Sequence, residues 1–338
     1  MRSELTITAA AVRRNAETLV RVLAGAELWA VVKADGYGHG AAECGAAALA
    51  GGASALCAAT VGEAVALREA LPAARILVLG PTEDADVRRA REARLELVVA
   101  RGEIPADVPV HLKLDTGMGR WGLSELPAPT RNVVGLMTHL ATADDDPEFA
   151  RGQLRLFEEA TAPFAHLTRH AANSAAALRL PESRMDAARC GIALYGLSPF
   201  GTDPADDGLE PALAWRTELA QVRLLQAGES TGYGRRFVAE RDTWIGIVPV
   251  GYADGLRRDL TGSAVLVEGE RCRLVGTISM DAAAVELPGE LAAGSLVTLI
   301  GDGLLLEEHA RVAGTITYEL ACGLGRDPAR TRRIVVER

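Results

Sequence analysis

From residue 29 to residue 195 the chain alternates short apolar runs with longer segments of helical spacing, and this alternation most narrows the fold. Residues 29–32, 54–59, 75–80, 95–100, 108–115, 133–139, 167–171 and 190–195 read as strands. The first of them is continuous and apolar, as expected of a strand covered on both faces. Helical spacing falls over residues 11–23, 41–50, 62–70, 84–93, 148–164 and from 174 onward. A βαβα order makes a parallel sheet, and at this length an eight-stranded (β/α)8 TIM-type barrel of the α/β class is the leading expectation.

The rhythm breaks twice. Only residues 101–107, with Pro105 among them, separate two strands, and the segment from Arg120 to the strand at 133 carries Pro127 and Pro129. No helix fits the first gap, and the second is short, so the outer ring is expected to be thinned by two helices on this side. Past Pro199 the composition turns to Gly, Pro and Asp over residues 201–208. Beyond it lie short, valine-rich, turn-bounded runs at 218–225, 243–250, 264–267, 272–278, 283–287 and 295–300, with a short helix at 306–313. They predict a mainly β C-terminal domain. The expected division is residues 1–8 as a strand joining that domain, 9–212 as the barrel and 213–338 as the β domain.

A net charge of -9 over 338 residues argues against sequence-independent nucleic-acid binding. The uncharged stretch 44–62 is long enough to span a membrane, but Gly51-Gly52 divides it into a helix and a strand, so no membrane partner is expected. The five cysteines are scattered without a CxxC pair, and residues 1–4 lack an apolar signal core, which together predict a cytoplasmic location. No metal site is predicted.

Several polar residues fall at predicted strand ends on the barrel's C-terminal rim, where this architecture carries its chemistry. They are Lys33, Lys113 with Asp115, His139, the pair Asn173-Ser174, and Arg189 leading into Gly191-Ile192. A desolvated Lys33 amine can form a Schiff base with an aldehyde. Arg189 is always cationic and only donates, so beside a pyridine nitrogen it keeps that nitrogen unprotonated. Ser174, the Gly191 and Ile192 amides and a tyrosine hydroxyl would give neutral donors to a phosphate. Blander roles stand beside these: Lys33 reaching water by its stem, His139 as a bonded core histidine, Ser174 as a helix N-cap, Arg189 paired with Asp186.

Residues 30–40 (Ala-Val-Val-Lys-Ala-Asp-Gly-Tyr-Gly-His-Gly) and 111–122 (His-Leu-Lys-Leu-Asp-Thr-Gly-Met-Gly-Arg-Trp-Gly) closely resemble the alanine racemase family. So do 137–144, 172–176, 189–196, Gly251-Tyr252-Ala253-Asp254-Gly255 and Ser279-Met280-Asp281. The resemblance covers essentially the whole chain. It implies a homodimer with a pyridoxal-phosphate barrel, a β domain and active sites shared between subunits, interconverting L- and D-alanine for uses such as cell-wall synthesis. Lys33 would carry the cofactor as a Schiff base and act as the base for the D-enantiomer, and Tyr233 of the partner subunit as the opposite base. Arg189 would face the pyridine nitrogen and His139 the ring; Tyr37, Ser174, Gly191, Ile192 and Tyr318 would contact the phosphate. Arg120 and the Met280 backbone would hold the substrate carboxylate, Tyr252 would line the entrance, and Lys113 matches a lysine carbamylated in many members. Leu256-Arg257, Thr277 and the 325–330 segment depart from the family pattern and bear on the entryway, the dimer and the choice of amino acid, serine being one alternative. A decarboxylase of the same fold would be expected to place an acid, not Arg189, at the pyridine nitrogen, and a non-enzymatic cofactor carrier would lack the domain that holds Tyr233.

Overall fold

The computed structural model describes residues 2–337, which divide into two compact units. One comprises Ala10–Phe200 with Pro204–Glu210; the other comprises residues 2–9, Gly201–Asp203 and residues 211–337.

The first unit is a closed barrel of eight parallel strands in sequence order: Glu27–Val31, Ala55–Ala58, Ile76–Val78, Glu96–Val99, Val110–Lys113, Val133–Met137, Thr168–His170 and Ala187–Cys190. Closure comes from pairing of the first strand with the last, Trp29 opposite Arg189. The helix Ala9–Leu23 shows why the local sequence folds as it does. Val12, Asn15, Ala16, Leu19 and Leu23 are buried at helical spacing, and full burial of Val12, Leu19 and Leu23 contributes on the order of 1.5–3 kcal/mol each. The polar member of that stripe is satisfied: Asn15 bonds the Leu194 carbonyl and both backbone groups of Glu210 at 2.8–3.2 Å.

Helices Ala41–Ala50, Val61–Ala70, Asp84–Glu92, Pro147–Thr161 and Ser174–Arg179 follow the strands. Among the described residues none follows Glu96–Val99 or Val110–Lys113, so the outer ring is thinned where the prolines stand. The strand expected over residues 190–195 is a correction: the strand is Ala187–Cys190, and Ile192–Tyr195 is a 3-10 turn. Its four fully buried residues made an apolar run that resembles a core strand.

The second unit is a nine-stranded sheet in the order Gln221–Leu225, Thr243–Val248, Ala283–Leu287, Glu270–Val275, Ala264–Val267, Leu296–Ile300, Leu213–Glu218, Ser3–Thr8, Thr331–Val336. The single run read at 218–225 is two strands separated by Leu219-Ala220. Ser3–Thr8 pairs antiparallel with Leu213–Glu218 and parallel with Thr331–Val336. Leu225, Ala239, Ile245, Val275 and Ala284 form a core at one end of this sheet, against which Phe237 and Ile247 pack. Besides Leu306–Ala313, a second helix, Thr317–Gly323, lies near the C-terminus. No helix among the described residues is long and apolar enough to cross a membrane.

Candidate active site

On the barrel unit, Lys33 is half-buried and begins a turn rather than ending a strand, which stops at Val31. Ala34, Asp35, Gly36 and Tyr37 follow with φ of 52°, 52°, 62° and 54°, a left-handed helical turn. Each non-glycine residue there costs roughly 1–2 kcal/mol, so its surroundings must hold it. Glu63 supplies one anchor: its carboxylate accepts from the Ala34 amide at 2.9 Å and the Ala59 amide at 2.7 Å while completing a capping box with Thr60. Asp35 supplies another by accepting from the Ala41 amide at 3.0 Å. Neither acid was singled out from sequence, although Thr60 followed three residues later by Glu63 is a legible capping signal.

The turn buries Tyr37 against the last strand's exit. A Cβ at Gly191 would lie 2.4 Å from the Tyr37 hydroxyl, so a side chain at 191 would collide with that ring. Ser174 Oγ accepts from the Gly191 amide at 3.0 Å and the Ala193 amide at 3.4 Å, and Ile192 follows as the first residue of the 3-10 turn. Hydroxyls and amides with no formal charge thus converge at one point of the rim, a donor set that fits a small dianion. Asn173, rather than Ser174, caps the helix, accepting from the Ala176 amide at 3.0 Å. The Ser174 hydroxyl is thereby left to the Gly191 loop.

Arg189 is buried and does not pair with Asp186, which instead lies 3.8 Å from Arg169. Its Nη1 donates to His170 Nδ1 at 2.8 Å and the His170 carbonyl at 2.9 Å; its Nη2 donates to the Thr138 and Ala171 carbonyls and lies 3.3 Å from His139 Nδ1. Burial pulls its pKa down to about 10, which leaves it a cation at neutral pH. Burial and then the Arg189 charge push His139 well below the ordinary histidine range, so its ring is neutral. Gln153, buried and overlooked in the sequence, holds the His139 segment by donating to the His139 carbonyl at 3.2 Å and accepting from the Ala141 amide at 2.8 Å.

Lys113 is almost wholly buried, and its Nζ lies 5.3 Å from the Trp121 ring, over which the Arg120 guanidinium also sits at 4.7 Å. Burial lowers its pKa to about 8, helped by Arg120, Arg189 and Lys33 and opposed by Asp115. That carboxylate is already engaged, accepting from the Gly117, Met118 and Gly119 amides and so shaping the loop that carries Arg120.

The remaining candidates lie on the β unit. Tyr233 is 74% exposed; its carbonyl accepts from Thr277 Oγ1 at 2.9 Å, so the departure at 277 anchors the tyrosine turn. A recess of ≈ 360 Å³ lined by Gly232, Tyr233, Ile247, Thr277, Ser279 and Ala284 lies beside it. Tyr252 and Met280 are exposed at 44% and 52% and sit on adjoining turns, the Tyr252 amide donating to the Ser279 carbonyl at 3.0 Å and the Ala253 amide to the Met280 carbonyl at 3.1 Å. Tyr318 is half-buried on Thr317–Gly323.

An eight-stranded parallel barrel with a lysine, a buried arginine and an uncharged donor cradle on one rim, followed in the chain by a mixed β sheet, places the protein in the barrel-plus-β-domain class. Comparison with known proteins supplies the family: the model for the alanine racemase N-terminal domain matches residues 7–199 and that for the C-terminal domain residues 212–334. The chain belongs to the alanine racemase family. It is 39% identical to an alanine racemase of Levilactobacillus brevis over 95% of each chain, and 41% identical to alanine racemase 1 of Bacillus subtilis over 87% of this chain and 83% of that one. Among solved structures, the alanine racemase of Streptomyces coelicolor A3(2) superposes with a TM-score of 0.91 at 37% identity, covering 100% of this chain and 98% of that one. That of Bartonella henselae, described with covalently bound pyridoxal phosphate, gives 0.87 at 26% identity over 99% of this chain and 100% of that one.

Proposed function

We propose that this chain racemises alanine with pyridoxal phosphate, and that two copies share each active site. The observation that carries this is the half-buried Lys33 on the same rim as buried Arg189, a cation that can donate to a ring nitrogen but never protonate it. Bound pyridoxal phosphate would acidify the Cα–H of an amino acid joined to it. Lys33 anchors the cofactor and moves a proton at Nζ on one face of Cα, and Tyr233 of the partner subunit does so at its hydroxyl on the other. Two groups are needed because one alone returns the proton to the face it left. Arg189 and His139 hold the ring; Tyr37, Ser174, Gly191, Ile192 and Tyr318 hold the phosphate; Arg120 and the Met280 backbone hold the substrate carboxylate; Tyr252 lines the entrance. Incubation with L-alanine, L-serine and basic amino acids in deuterium oxide tests this. D-alanine deuterated at Cα is the expected product; no exchange with any amino acid, or carbon dioxide release without enantiomer exchange, would sink it.

Lys113 is the residue to carry a carbamate. It is a buried amine among three cations, with its one acidic neighbour engaged by the backbone, so conversion to an anion relieves like-charge crowding. The amine takes up carbon dioxide and loses one proton. Because only the neutral amine reacts, the adduct should form increasingly as pH rises through about 8, and intact-protein mass after bicarbonate treatment reads it. Failure of Lys113→Ala to abolish a mass increase of about 44 Da would refute the assignment.

A further inference from the structure

The interior of the barrel, normally filled by branched apolar side chains, here carries a line of polar groups from its N-terminal opening to the rim. Arg189 Nη1 meets His170 Nδ1 at 2.8 Å, His170 Nε2 meets His111 Nδ1 at 2.9 Å, and His111 Nε2 meets Glu96 Oε2 at 2.9 Å. Both histidines are fully buried. The Glu96 carboxylate is also clamped by Arg75, through Nε to Oε1 at 2.8 Å and Nη2 to Oε2 at 3.0 Å. Trp29 walls the line, its ring 4.5 Å from His170 and 5.6 Å from His111.

The protons in this line have one consistent arrangement. A guanidinium can only donate, so His170 Nδ1 must accept, and a neutral His170 carries its proton on Nε2. That proton points at His111 Nδ1, which must accept in turn, so His111 carries its proton on Nε2 and gives it to Glu96. An imidazolium at either histidine would set two donors face to face. The line is therefore directed, each group donating to the next and ending on a carboxylate. The guanidinium sets the direction; removing the carboxylate leaves the buried His111 Nε2–H without its acceptor and frees that end of the line to shift. Space for the line is built in as well: a Cβ at Gly135 would lie 2.1 Å from His111 Nδ1.

We propose that Glu96 is a positioning residue for the reaction, acting through His111 and His170 to lock the Arg189 guanidinium. With Nη1 held by His170 and Nη2 by the Thr138 and Ala171 carbonyls, Nε–H is the donor these contacts leave over for a ring nitrogen. This rests on the function proposed above, and the tests are separable because one readout needs no turnover. Nitrogen-15 spectra of the full-length protein report which nitrogen of His111 and His170 is protonated, with assignment by single His→Asn replacements. The expected wild-type result is the neutral Nε2–H form at both positions. In Glu96→Leu the His111 Nε2–H has lost its acceptor, so the His111 nitrogen and proton shifts should move, while His170, facing the guanidinium, stays in the Nε2–H form. On the loaded enzyme kcat should fall about 10–100-fold, the scale on which outer-shell partners of metal-bound histidines act, with KM within about 2-fold and a shifted cofactor absorbance band. Glu96→Gln, whose amide oxygen still accepts from His111, should keep the His111 shifts near the wild-type values and lose less kcat; it decides the matter if the leucine variant does not fold. Nδ1–H forms in the wild type, or unchanged His111 shifts and kcat in Glu96→Leu, would overturn the proposal. If Glu96→Leu does not fold, unchanged kcat and absorbance in Glu96→Gln would overturn it. A wild-type protein with the expected tautomers but no racemisation of any amino acid would overturn the proposed function and, with it, the role given to Glu96, while leaving the proton arrangement in place.

Discussion

Tyr233→Phe should lower racemisation of alanine in both directions by about 10²–10⁴-fold, the range over which a general acid–base group contributes. The loss should appear in kcat, because in the role proposed for it the phenol hydroxyl moves a proton and does not hold the substrate carboxylate. The exchange pattern should be one-sided: deuterium from solvent should still enter D-alanine, the enantiomer assigned to Lys33, while exchange into L-alanine falls with racemisation. Stability should be untouched, since the ring is 74% exposed and the turn is held through its carbonyl by Thr277, not through the hydroxyl. Full exchange with both enantiomers would remove Tyr233 from the mechanism. Because Tyr233 is assigned to the partner subunit, specific activity of the wild type should also fall on dilution through the dimer dissociation range.

Asp254→Ala should cost the β unit a large part of its stability. The Asp254 side chain is fully buried; it accepts from Arg330 Nε at 2.8 Å, from Arg330 Nη2 at 3.1 Å and from the Gly251 amide at 2.9 Å. Arg330 also reaches Asp281 at 2.8 Å, so one guanidinium ties the Gly-Tyr-Ala-Asp-Gly turn to the Ser-Met-Asp turn. Losing the hydrogen bonds of a buried carboxylate and leaving the buried Gly251 amide without its acceptor costs about 2–3 kcal/mol. A urea midpoint shift at unchanged slope reads it. Asp281→Ala, at an exposed carboxylate, is the control and should shift the midpoint far less.

The barrel was legible because its strands are short apolar runs, whose periodicity survives any tertiary context. The misread strand failed for the same reason in reverse. Ala187–Cys190 carries Arg189 because it faces a polar barrel interior, so it lacks the apolar signature, whereas the buried Ile192–Tyr195 turn possesses it. On the rim, Lys33, Arg189, Ser174 and His139 could be found as polar residues at strand ends. Glu96, His111 and His170 could not be given a use that way, since their arrangement depends on which strands lie side by side. One cue was present: His111 and Lys113 stand two apart on a single strand and share its inner face.

The turn after Lys33 has a further consequence for how this geometry arises. Three of its residues, Ala34, Asp35 and Tyr37, occupy a backbone region that an unassisted peptide of L-amino acids rarely visits. Its distant anchors are Glu63, on the helix after the second strand, and the Tyr37 packing against Gly191, just past the last strand of the barrel. The local shape around the reactive amine is thus dictated from afar. A fragment ending soon after residue 40 would carry the entire motif and not its conformation, and the chain must close its barrel before the lysine has an address.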